Sequence, residues 1–127
     1  MSRVVLLNTY LAEVREVRFR PGVHDCAMFA AGWVERLTGR DLAGPWRGKY
    51  LSLDEGAQML RERGYADHIA ILSERFEEIP PAMARTGDFA VIDGKALGIF
   101  SSDRVFVLHP DGLAHVSRMR AKRAFRV

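Results

Sequence analysis

The sequence is short of cysteine: among 127 residues there is one, Cys26. A single thiol cannot close an internal disulfide or build a thiolate metal site, and it fits a chain made in a reducing cytoplasm or an assembly formed there. Long apolar runs are missing too, and none approaches the roughly 18 residues that a membrane-spanning helix needs. The opening stretch "MSRVVLLNTYLAEVREVRF" has a short apolar patch but no small-residue cleavage site, and acidic residues follow quickly. No signal peptide is expected from that pattern. The four histidines show no paired ligand spacing, and no glycine-rich loop is set to cradle a phosphate, so neither a metal nor another cofactor is expected. Repeats, low-complexity tracts and long linkers are also absent.

What is present is the balance of an ordinary globular domain, with 48% hydrophobic and 28% charged residues. The length suits one domain over residues 1–127, large enough to bury a core without cross-links. The net charge of +3 is mild but uneven, because "SRMRAKRAFR" carries Arg118, Arg120, Lys122, Arg123 and Arg126 with no acid among them. Phe125 is its single aromatic residue, too few to stack successive bases, so the run is read as a solvated basic edge and not as a nucleic-acid site.

The hydrophobic pattern changes period along the chain. Val4, Leu7, Leu11 and Val14 recur at helical spacing and predict a helix over 3–17. Pro21-Gly22 breaks the chain, and Asp25 is placed to cap a second helix over 26–38, with Phe29, Trp33, Val34 and Leu37 on its apolar face and Gly39 at its end. Ser52 and Glu55 have capping-box spacing for a third helix at about 53–63. "DHIAILSERFEEIP" reads as a short fourth helix or an irregular crossover. From Gly87 the pattern alternates as in strands: "DFAVID", "ALGIF" and "RVFVLH", then "LAHVS" and "AFRV" with a basic helical turn between them. Asp93-Gly94 suits a type I′ hairpin. Helices first and an antiparallel meander second make an α+β fold, with N-terminal helices packed on a small C-terminal sheet.

A cysteine opening a helix that packs on such a sheet is the arrangement of papain-like thiol enzymes. The positive end of the helix favours thiolate over thiol. A histidine on a facing strand then serves as acid and base. Cys26 is the candidate nucleophile on this reading, with Asp25 beside it as the helix cap. His24 lies in the preceding loop and His109 at the end of "RVFVLH", while His68 and His115 fall in weakly patterned segments and are read as surface or packing residues. Asp88 is read as opening a strand and bonding a loop, and Trp46 as a lid or a ligand contact.

"RFRPGVHDCAMFAAGWVERLTG" resembles the nucleophile segment of NlpC-type cell-wall peptidases, and "RTGDFAVIDGKALGIF" resembles their next segment. A closer resemblance is to a phage and prophage family that is itself NlpC-like, carried by His24-Asp25-Cys26, Thr38-Gly39, Arg47-Gly48-Lys49-Tyr50, Gly87-Asp88, Ala96-Leu97-Gly98 and Arg123-Ala124-Phe125-Arg126-Val127. The resemblance implies a papain-like fold, with Cys26 at the nucleophile position and Asp25 before it. The general-base position falls on Ala96, and His109 falls near the third, orienting position. Pro21 stands where the family has tryptophan. The expectation is a degenerate, non-catalytic, tail-associated protein, cytoplasmic or virion-associated, whose partners are phage tail or other virion proteins. The alternative is a cysteine peptidase or amidase acting on peptidoglycan peptides, with Cys26 as nucleophile and His109 or His24 as base.

Overall fold

The structure, a computed structural model, describes residues 2–127. Four helices precede most of the sheet: α1 (Arg3–Val14), α2 (Cys26–Thr38), α3 (Leu53–Glu62) and α4 (His68–Arg75). The strands are β1 (Glu78–Ile79), β2 (Phe89–Val91), β3 (Leu97–Ser101), β4 (Arg104–His109), β5 (Gly112–Ser117) and β6 (Arg123–Phe125). Short 3-10 turns at Pro81–Met83 and Arg118–Arg120 join them. The protein is therefore α+β, with helices leading an antiparallel sheet. No helix is long and apolar enough to cross a membrane among the described residues.

Local chemistry sets the helix ends. Asp25 caps α2 by accepting from Met28 N, and the helix closes on Gly39 in the left-handed region at φ 80°. Ser52 accepts from Glu55 N at the start of α3, while the Glu55 carboxylate reaches back to Leu51 N at 2.7 Å. Asp67 caps α4, which resolves the fourth segment as a helix. The first helix stops at Val14, short of the predicted Val17, because its buried stripe of Leu7, Tyr10, Leu11 and Val14 ends there. Val4, predicted on that stripe, is exposed, and Tyr10 takes a place in it instead.

The sheet order is β1-β6-β2-β3-β4-β5. Strands β2 to β5 form the expected meander, but β6 returns to pair with β2, opposing Phe125 to Phe89. The β2–β3 connection is a three-residue loop closed by Ile92 N–H to Ala96 O at 2.9 Å. Of its residues only Gly94 has positive φ, at 68°, so the expected type I′ turn is not formed.

Alternation gives the sheet two buried faces. Phe89, Val91, Leu97, Ile99, Leu108 and Phe125 meet the helices. Ala90, Ile92, Phe100, Val105, Val107 and Ala124 form a second cluster with Ile79 and Ala84. Arg118 roofs that second cluster. Its guanidinium lies 4.8 Å from the Phe100 ring centroid and donates to the Pro81, Ala84 and Ser102 carbonyls. The rest of the basic run is mostly paired: Arg120 with Asp93, Arg123 with Glu78 and Arg126 with Glu77.

On the helix side, α1 and α2 approach closely. Tyr10 donates to the Phe29 carbonyl at 2.6 Å and stacks on the Phe29 ring. A Cβ at Gly32 would lie 2.4 Å from the Tyr10 hydroxyl, so glycine is what lets the helices meet. Trp33 is fully buried and donates to the Gly87 carbonyl at 2.7 Å. Asp88, as expected at the strand opening, accepts from Arg85 N and Val127 N. Replacing Trp33 with alanine should cost about 3–5 kcal/mol in urea unfolding, the usual range for a large aromatic removed from a core. A loss under about 1 kcal/mol, an ordinary surface value, would contradict this placement.

Candidate functional site

The stretch from Arg20 to Cys26 is a tight loop feeding a helix. Arg20 and His24 exchange backbone hydrogen bonds at 2.8 Å across Pro21-Gly22. Gly22 has φ 82°, and a Cβ there would lie 2.3 Å from the Tyr50 carbonyl oxygen, so glycine is required twice over. The loop is tied down by Asp25, which is 1% exposed. Its Oδ2 accepts from Gly22 N at 2.9 Å and from the Tyr50 hydroxyl at 2.6 Å, while Oδ1 accepts from Met28 N at 2.9 Å. No cation pairs with it among the described residues. The donors and the helix N-terminus supply the compensation instead.

Tyr50 comes from the long loop between α2 and α3. Asp41 and Arg47 brace that loop through two bonds of 2.9 Å, and the Gly48 amide donates to the Gly22 carbonyl. Trp46 in this loop carries the Arg63 guanidinium over its ring at 4.5 Å.

Cys26 opens onto a cavity of about 410 Å³. Its walls come from α2, the 41–50 loop, α3, the start of α4 and the helix-facing side of β2 and β3, and Trp46, Phe76, Phe89 and Leu97 make them largely apolar. The thiol shares this cavity with Leu97, and α1 contributes nothing to it, in accord with a helix packed on the sheet. Ala96 is different. Its side chain packs with the cluster on the opposite face of the sheet, so an imidazole at position 96 would start out pointing away from Cys26.

The expected activation of the thiol is reversed. Burial, and then the neighbouring Asp25 charge, push the Cys26 thiol up to about 11, outweighing the Ala27 and Cys26 backbone amides that favour the thiolate. No histidine is among the groups that move it.

The histidines are arranged differently from the expectation. His24 is 7% exposed and lies outside the cavity lining, with its Nε2 buried and without a hydrogen-bond partner among the described residues. Burial lowers its pKa, with Asp25 acting the other way. His109 is exposed at the β4–β5 hairpin, opposite Gly112, and is not part of the cavity. The histidine that does line the cavity is His68, where the sequence pattern predicts only a surface or packing residue. It begins α4, and its Nε2 lies 2.7 Å from the Lys95 carbonyl oxygen. The start of α4 is further tied to the sheet by Lys95 and Asp67 at 3.0 Å. Asp67 in the N-cap position before His68 is the signal that could have located this helix start. No group of three or more His, Cys, Asp or Glu side chains among the described residues is arranged to hold a metal ion.

Asp25→Ala should destabilise the fold by about 2–4 kcal/mol, combining a lost N-cap with buried donors left unpaired. Tyr50→Phe removes one charge-assisted bond and should cost about 1.5–3 kcal/mol. Chemical denaturation of both variants checks this, and wild-type midpoints in the two would contradict the clamp.

Comparison with known proteins adds a family. No curated protein matches the chain. Residues 3–127, nearly the whole sequence, match the family described as Domain of unknown function (DUF6950), and the chain belongs to that family.

Proposed function

We propose that the protein is a non-catalytic, NlpC-like binding module of phage or prophage origin, associated with the tail. The observation that carries the loss of catalysis is that His24 and His109, the two expected bases, both lie outside the cavity that Cys26 lines. A thiol pushed up to about 11 is almost entirely protonated at neutral pH. Nucleophilic attack needs the thiolate, and general-base help of the usual kind is worth roughly 10²–10⁴-fold. Asp25 accepts from Gly22, Met28 and Tyr50, and no histidine among the described residues is hydrogen-bonded to it. The tail association rests on the resemblance through His24-Asp25-Cys26 and the 123–127 segment.

A cysteine peptidase or amidase is the second reading. His68 favours it, because its imidazole and the Cys26 thiol line the same cavity. The base would then come from α4, in place of His109 or His24.

Purified protein incubated with peptidoglycan stem peptides should give no amide hydrolysis above a Cys26→Ser background. Turnover that disappears in both Cys26→Ser and His68→Ala would establish the second reading and remove the first.

A further inference from the structure

We infer that the Cys26 cavity is a binding site for a single-chain anionic amphiphile, such as a medium-chain carboxylate, with its tail inside and its head at Arg61. The size fits: about 410 Å³ lies within the roughly 300–1,000 Å³ of small-molecule sites. The walls fit an alkyl chain, since they are built largely from aromatic, aliphatic and alanine side chains, with Ala31 and Ala57 leaving room where larger residues would close it.

The charges give the ligand its polarity. Asp25 is part of the wall, but it is 1% exposed and its carboxylate is engaged by three donors. A negative head cannot be drawn there. Lys95 is matched by Asp67 at 3.0 Å, and His68 is held by the Lys95 carbonyl. Arg61 is exposed, and no carboxylate pairs with it among the described residues. It is thus the cation at the cavity free to meet an anion. An anionic head at the mouth and an apolar tail in the interior satisfy both ends, whereas a cationic head meets Arg61 unfavourably.

This inference stands apart from the absence of turnover: failure to bind leaves the non-catalytic reading intact, and catalysis would not itself fill the cavity. Calorimetric titration of the folded protein at about pH 8, where a carboxylate is ionised, should show saturable one-to-one binding of decanoate and weaker binding of decylamine. Arg61→Gln should weaken decanoate by about two- to five-fold, the scale of an exposed charge pair. Ala57→Phe, checked for folding by circular dichroism, should weaken it by about ten-fold or more by filling the site. If that variant does not fold, Ala31→Leu serves the same purpose. Absence of saturable binding, equal binding of decylamine, unchanged affinity in a folded cavity-filling variant, or co-sedimentation with anionic vesicles in place of one-to-one uptake would overturn the inference.

Discussion

The structure around the cavity depends on one buried carboxylate. Asp25 holds the helix start through Met28, the preceding turn through Gly22, and the 41–50 loop through Tyr50. Those segments are distant or conformationally unlike one another. A buried charge without a cation is costly unless donors surround it. Here the three donors and the positive end of α2 take that role. Glycine at position 22 follows from the same constraint, because only a residue without Cβ fits under the Tyr50 carbonyl in a left-handed conformation.

The clamp has a chemical consequence for its neighbour. A helix N-terminus ordinarily favours a thiolate, but Cys26 is partly buried and the charge of Asp25 lies beside it. Both effects act against ionisation, and together they exceed the backbone amides that favour it. The same residue pair that signals a nucleophile in sequence thus yields a neutral thiol in an apolar wall. A neutral thiol is a small, soft packing group, suited to lining a pocket.

Much of this fold was legible because its signals are local. Caps at Asp25 and Ser52, the left-handed Gly39 and the alternation in "RVFVLH" each act within a few residues. The misses are nonlocal. β1 is too short, at Glu78–Ile79, to show a period, and it exists because β6 lies beside it. The basic run reads as a solvated edge, yet Arg118 roofs the second core and its neighbours pair with acids brought from elsewhere in the fold. At the site, the sequence placed Cys26 and Asp25 correctly at the helix start but could not reveal which histidine shares their cavity. His68 reaches it through the Lys95 carbonyl, a contact spanning 27 residues. His109 was favoured by its strand, but its position at the hairpin end leaves it in solvent. Ala96 was aligned by motif, and the pleat turns its side chain to the other face.

Asp25 and burial together keep Cys26 neutral. Ultraviolet titration of thiolate absorbance, taken as wild type minus Cys26→Ser, measures this directly. Cys26 in the folded protein should ionise at about 11, with a lower value in Asp25→Asn. Ionisation of wild-type Cys26 at or below the free-thiol value of about 8.5 would contradict it.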